Sequence, residues 1–307
     1  MSRLNRRNPY STVRSAAEHY WRIGLEPVSL DTSEVGESEI PSVPVDWSPE
    51  TLDRKFGASD RVGVILGSRS GDLVEVQVHW QEAGGWAVNL MKDFPAFRRG
   101  GPEYTNYLAR SKLRTGLIQF KVPNILLPVV GGDQGVVLEL KGNGHQAIVP
   151  PSVDPAGERT RWRRGYLALR YADDVPFVSP AWLIARSSLL AAMAVIHRAY
   201  PHSCTNTDDL LQEITAVLLH LGCEIEVVDG FIAELCNASS GWKPEYRRNT
   251  ARAIKVEIAE TGHVADIVAV CRLLGIEPME DLLRSWIDPF GDLFPKEPNR
   301  HSVFDKQ

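Results

Sequence analysis

The chain has few cysteines and lacks a long apolar run. Its four cysteines are widely spaced and contain no Cys-x-x-Cys pair, so neither a zinc ribbon nor a disulfide framework is indicated. Nowhere do about 18 apolar residues follow one another, so no membrane-spanning segment is predicted. The N-terminus is basic, but no uninterrupted apolar stretch follows it. We therefore expect a cytoplasmic protein with reduced, mostly buried thiols and no membrane partner.

An excess of positive charge is also absent. The net charge of −5 gives no overall attraction to nucleic acid, so any such binding must be local. Basic residues do cluster in three segments, namely Arg110, Lys112 and Arg114; Arg159, Arg161, Arg163 and Arg164; and Arg247, Arg248, Arg252 and Lys255. Each cluster is either a solvated charged face or a local anion-binding surface, and the sequence leaves both interpretations open.

The pattern of apolar residues changes near the middle of the chain. A length of 307 residues favours two domains over one. The first half mixes helical and strand periodicity, with helices predicted at 12–24, 49–56 and 81–91 and strands at 26–30, 61–66, 73–79, 116–122, 135–141 and 147–149. Helical spacing dominates afterwards, at 181–200, 207–222, 226–236, 246–261 and 264–274. We expect an α/β domain at 1–175, a helical domain at 176–287 and a flexible tail at 288–307.

The strand at 73–79 carries an unusual set of polar side chains. Its apolar residues Val74, Val76 and Val78 point one way. Glu75, Gln77 and His79 point the other way, after a turn rich in Gly and Ser. A nucleotidyl-transfer site would need paired carboxylates on such a face, because two divalent cations about 3.5–4 Å apart must be held by anionic oxygens.

Several segments together resemble the bifunctional DNA primase/polymerase (prim-pol) domain, a branch of the archaeo-eukaryotic primases found on phages, plasmids and integrated elements. The most specific segment runs from Val137 to Ser152, with Glu139 on a strand, a glycine turn and a Pro-Pro-Ser hairpin. The helical segments after residue 190 resemble the domain that follows this core in many members. The resemblance implies an α+β fold, in which a primase-like, RRM-like palm precedes an all-α domain.

The resemblance also assigns the catalytic positions. Aligning Glu82-Ala83 with the family's Glu-Ala step places its Asp-x-Asp pair on Gln77 and His79, and its third acid on Glu139. Both acids of the pair are therefore replaced. A basic segment that contacts the incoming nucleotide's triphosphate corresponds to Ser111, Lys112 and Arg114. Nucleotide or phosphate contacts are further implied for Gln146 and Ser152.

The metal requirement follows from the same positions. An active member would use Mg²⁺ or Mn²⁺; a degenerate one would need no cofactor. Glu75, His79 and Glu139 together could form a mixed nitrogen and oxygen site, which favours Mn²⁺ or Zn²⁺ over Mg²⁺. The alternative is that Glu75, Gln77 and His79 occupy a solvated sheet face left over after catalysis was lost.

Three functions remain open from the sequence. The first, which we favour, is a degenerate primase/polymerase that acts in DNA replication by binding single-stranded or template-primer DNA, nucleotide, or an active primase/polymerase or helicase partner. The second is a working enzyme with the mixed Glu75, His79 and Glu139 site. The third is a protein-interaction module that does not bind nucleic acid. No Walker-type loop is present, so a fused P-loop helicase is not expected.

Overall fold

A computed structural model describes most of the chain, and it is a mixed helix and sheet structure. The described residues are 12–30, 45–98, 105–130, 135–153, 157–163, 169, 172–200, 207–238, 252–254, 256, 260 and 266–287. The predicted tail at 288–307 and most of the predicted helix at 246–261 lie outside them. Two compact units are present, one formed by 1–121 with 136–180 and the other by 122–135 with 181–307.

Two short helices open the first unit, and both begin at side-chain caps. Helix α1 (Val13–Arg22) starts with a capping box in which Thr12 and Ser15 satisfy each other's backbone N–H groups. Helix α2 (Pro49–Phe56) begins after Ser48, whose side chain accepts from the Thr51 N–H. Both helices occur where the sequence predicts them, because these caps and the apolar spacing are local signals.

The strands of this unit form two antiparallel sheets. The smaller has the order β1-β2-β8, with β1 at Pro27–Ser29, β2 at Val62–Ile65 and β8 at Gln146–Val149. The larger has the order β6-β7-β3-β5-β4-β9. Its strands are β3 (Leu73–Val78), β4 (Ala96–Arg98), β5 (Thr105–Arg110), β6 (Leu117–Lys121), β7 (Val136–Lys141) and β9 (Arg161–Trp162). Helix α3 (Gln81–Leu90) follows β3.

One apolar cluster joins the two sheets. From the smaller sheet it takes Val62, Val64 and Val149, and from the larger Leu73, Phe97 and Leu108. Trp162 packs edge-on against Phe97, with ring centroids 5.6 Å apart. Leu73, Glu75 and Gln77 alternate along β3 and share one face of the larger sheet, and Leu108 lies opposite Glu75 on that face. This face is therefore apolar around Leu73 and Leu108 and polar beside them, at Glu75 and Gln77.

The helices described in the second unit are α4 (Leu127–Val130), α5 (Pro180–Ala199, whose first residue belongs to the first unit), α6 (Thr207–His220), α7 (Ile225–Ala238), α8 (Ile267–Leu274) and α9 (Glu280–Ile287). Four of them, α5 to α8, occur where the apolar spacing predicts them. Among the described residues, α5 alone is long and apolar enough to cross a membrane, but 72% of its apolar window is buried inside the protein, as in a core helix.

Five of the labelled elements have no counterpart in the sequence prediction. Strands β4, β5 and β9 and helices α4 and α9 were not predicted. The omission of β5 matters most, because it pairs with β3 through the register Gln77 to Asn106. Its burial on both faces removes the alternation by which a half-exposed strand is recognised.

Candidate functional site

Four polar side chains form a continuous row across the larger sheet. Gln77 lies directly opposite Glu139 on one side and opposite Asn106 on the other. Gln119 on the edge strand β6 lies opposite Glu139. Directly opposed residues in an antiparallel sheet have Cβ atoms about 5 Å apart. The strand pairing therefore brings together Gln77 and Glu139, two of the positions at which the resemblance placed catalytic acids.

Lys141 and Glu75 form the adjacent row, where they lie opposite each other. We call the six residues Glu75, Gln77, Asn106, Gln119, Glu139 and Lys141 the polar face. Its central contact is made by the Lys141 ammonium, which donates from Nζ to Gln77 Oε1 at 2.5 Å and lies 3.1 Å from Glu139 Oε2. A positive charge of the protein itself therefore lies between the two positions that the resemblance assigns to acids.

Glu139 is a nearly buried carboxylate of this face. It is 8% exposed and accepts a hydrogen bond from Gln119 Nε2 at 2.5 Å. The pKa of Glu139 is lowered to about 2, first by His79 and then by Gln119 and Lys141, against the opposing effect of burial. His79 Nε2 lies 3.3 Å from Glu139 Oε2 but is not aligned for a hydrogen bond. Gln119 and Lys141 contact the same carboxylate and also favour its charged form.

Glu75 is held separately from Glu139. Its Oε1 accepts a hydrogen bond of 2.7 Å from Asn106 Nδ2, and the residue is only 3% exposed. In the sheet register Glu75 is diagonal to Glu139, and such neighbours are about 7–8 Å apart. The two carboxylates share a face without being directly opposed.

These observations correct one sequence-based interpretation. Glu75 is buried, and Gln77 and His79 are half-buried, so the three do not form a solvated face. In the part of the chain that is described, no group of three or more His, Cys, Asp or Glu side chains is arranged to hold a metal ion. The mixed site of Glu75, His79 and Glu139 stays a prediction.

The predicted phosphate-binding segment lies at the end of the larger sheet where three turns meet. Ser111 follows β5 and is buried, and its Oγ has no hydrogen-bond partner among the described residues. Lys112 and Arg114 are exposed. A Cβ on either Gly67 or Gly116 would collide with Asn143, so both glycines permit the turns to pack closely around that residue.

The remaining two predicted nucleotide-binding residues lie at the start of β8 and just after its end. Gln146 begins β8, opposite Ile65. Ser152 is fully buried, and its hydroxyl bonds the backbone of β2 and β8, accepting from Val62 N–H at 2.8 Å and lying within donating distance of Val62 O and Val149 O. Ser152 thus holds the hairpin to its neighbouring strand, and the structure does not bring it to the polar face.

Sequence reasoning missed three members of the polar face. Asn106 could not be recognised because β5 was not predicted. Gln119 and Lys141 lie on predicted strands, and their alternation with buried Phe120 and Leu140 was a usable signal. Which residues they oppose depends on the pairing register, which those short strands do not encode locally.

Comparison with known proteins does not extend these observations. No protein-family model matches the chain, and no curated protein matches it. The primase/polymerase resemblance therefore stays a prediction based on the motifs described above.

Proposed function

We propose that this protein binds nucleic acid through a primase/polymerase-like palm whose catalytic cations are replaced by Lys141, so that it takes part in replication without synthesising primers. The observation that carries the proposal is the position of the Lys141 ammonium, in contact with both Gln77 Oε1 and Glu139 Oε2. In this proposal Gln77 takes the place of a catalytic acid. Its neutral amide can accept from the ammonium, but it adds no negative charge.

The charges of the polar face support this proposal. Two divalent cations bring four positive charges, and they need several anionic oxygens to hold them against hydration. Glu75 and Glu139 supply two negative charges, and Lys141 offsets one of them. Phosphoryl transfer depends mainly on such electrostatic stabilisation. The donor set therefore does not fit a pair of Mg²⁺ or Mn²⁺ ions.

Nucleic-acid binding is proposed for the turns beside the polar face. Lys112 and Arg114 are exposed next to the buried hydroxyl of Ser111, which has no hydrogen-bond partner in the described part of the chain. Lysine and arginine contact phosphate oxygens, and arginine can do so with two parallel hydrogen bonds. The ligand is single-stranded or template-primer DNA, with a nucleotide or an active polymerase partner as further occupants.

Primer synthesis tests the loss of catalysis. The unaltered chain is incubated with single-stranded template, nucleotides, and Mg²⁺ or Mn²⁺, and products are resolved by length. We expect no templated product. Product that appears with the unaltered chain and is abolished by Glu139→Gln would overturn the proposal and would support the mixed-metal enzyme instead.

Fluorescence anisotropy with labelled single-stranded DNA tests the binding function. The double variant Lys112→Gln, Arg114→Gln is compared with Arg54→Gln, Lys55→Gln, which removes the same charge from exposed positions at the end of α2. Each lost phosphate contact should reduce the slope of log affinity against log salt by about 0.7. The control should leave the slope unchanged. No measurable binding by the unaltered chain would favour the protein-interaction function.

A further inference from the structure

Besides Lys112 and Arg114, a second set of basic residues lies on and beside β9, an edge strand of the larger sheet. Residues 159–163 alternate in direction. Thr160 is buried and donates through Oγ1 to Ser152 O at 3.0 Å, and Trp162 packs on Phe97. Because side chains of an extended segment alternate, Arg159, Arg161 and Arg163 point the opposite way. Arg159 and Arg161 are exposed.

A fourth arginine joins them from the neighbouring strand. Arg98 on β4 lies directly opposite Arg161 on β9. Arg163 donates to the Tyr107 hydroxyl at 3.2 Å, which places it on that same face. We call Arg98, Arg159, Arg161 and Arg163 the arginine strip. Since Phe97 and Trp162 share the face of Gln77 and Asn106, the strip lies on the opposite face of the larger sheet from the polar face.

The four arginines of the strip lie together without an acidic partner among the described residues. Four other arginines of this unit, Arg14, Arg22, Arg69 and Arg110, each pair with a carboxylate. Within the described part of the chain, no carboxylate lies at ion-pair distance from any of the four strip guanidinium groups. The Nε of Arg98 is buried without a hydrogen-bond partner there. Like charges directly opposed across strands are destabilising, so this arrangement is unfavourable unless an anion is bound.

We propose that the arginine strip binds the phosphate backbone of a nucleic acid, as a second contact surface separate from Lys112 and Arg114. Successive arginines of residues 159–163 are two residues apart on an extended segment, which is about 6.6 Å. One strand of B-form DNA carries a phosphate about every 3.4 Å along its axis. Because the phosphates also wind around the axis, neighbouring phosphates of one strand lie farther apart than this rise, and the arginine spacing suits successive phosphates of a strand. A linear array of this kind suits a periodic polyanion better than a single phosphate, which convergent donors would bind.

Salt-dependent DNA binding tests the strip directly. The double variant Arg159→Gln, Arg161→Gln is compared with Arg54→Gln, Lys55→Gln on labelled single- and double-stranded DNA. Neither strip residue makes a described side-chain contact that the change would remove, and thermal unfolding verifies that the fold is kept. We expect the slope of log affinity against log salt to fall by about 1.4–1.8, with a loss of affinity of tenfold or more at about 0.1 M salt. Arg159→Lys, Arg161→Lys should keep the slope.

The outcomes separate this proposal from the proposed function. If the salt slope falls in the strip variant but not in Lys112→Gln, Arg114→Gln, the strip binds DNA and the proposed contacts of Lys112 and Arg114 are wrong. The reverse result overturns the strip and leaves the proposed function intact. Equal salt slopes in the strip variant and in Arg54→Gln, Lys55→Gln would show that the strip does not bind DNA phosphates. The proposal is also overturned if the strip variant loses capture by phosphatidylserine vesicles while its DNA binding is unchanged.

Discussion

The two faces of the larger sheet use charge in opposite ways. On the polar face, Lys141 and Glu139 satisfy each other in a partly enclosed network that also engages Gln77 and Gln119. On the other face, the arginine strip has no acidic partner among the described residues. Charges satisfied within the protein hold its fold, whereas unpaired and exposed charges are available to a ligand. The comparison therefore separates the charges that stabilise the fold from the exposed arginines that are proposed to contact a ligand.

The largest effect on stability is expected from removing Lys141, the positive charge of the polar face. Lys141→Met leaves Glu139 in a site where both side chains are mostly enclosed, at 11% exposure for Glu139 and 23% for Lys141. We expect the free energy of unfolding at neutral pH to fall by about 3 kcal/mol, because an enclosed carboxylate loses its charged partner. Urea denaturation followed by circular dichroism measures the change.

Lys121→Met is the matched control for this loss. Lys121 ends the exposed edge strand β6, and the structure gives its side chain no ion pair among the described residues. Its replacement should change stability by less than about 0.5 kcal/mol. Equal effects of the two substitutions would show that Lys141 is no more than a surface lysine.

A change of pH sharpens the same contrast. The pKa of Glu139 is about 2 in the folded protein against 4.5 for an ordinary glutamate, so its charged form is favoured by folding. The resulting stability is fully present above pH 4.5 and is lost as the pH falls towards 2, with a total of about 3 kcal/mol. Unfolding curves of the unaltered chain and Glu139→Gln should therefore differ most above pH 4.5 and converge below it. A difference independent of pH between 2 and 6 would contradict the assignment.

The smallest effect is expected at an exposed ion pair of the same unit. Arg110 Nη1 lies 2.6 Å from Asp173 Oδ1, but the Asp173 side chain is 91% exposed. Asp173→Asn should therefore lower the free energy of unfolding by at most about 1 kcal/mol, with the difference reduced further in high salt. A larger loss would mean that the exposed pair Arg110–Asp173 contributes as much stability as the enclosed pair Lys141–Glu139. Solvent exposure would then not explain the difference between the two faces.

Local signals in the sequence predicted much of this architecture. The alternation of Val74, Val76 and Val78 identified β3, and the helix predicted at 49–56 is α2. These features depend on near neighbours in the chain. The strand β5 was missed because Asn106, Leu108 and their neighbours are buried on both faces and show no alternation.

The candidate site was less predictable for a physical reason. Glu139 and Gln77 were selected from motifs, but the position of Lys141 between them depends on the pairing of β3 with β7. A shift of one residue would move every side chain to the other face. The neighbours of each side chain on the polar face are determined by the pairing of strands that are distant in sequence. Residue spacing within one strand therefore could not predict that Lys141 contacts both Gln77 and Glu139.

Manganese binding, followed by electron paramagnetic resonance of free Mn²⁺, tests the central claim most directly. The unaltered chain should leave millimolar Mn²⁺ free, because the Lys141 ammonium already satisfies Glu139. The variant Gln77→Asp, Lys141→Met places a second carboxylate directly opposite Glu139 and should take up Mn²⁺. Uptake of two Mn²⁺ ions by the unaltered chain would contradict the account.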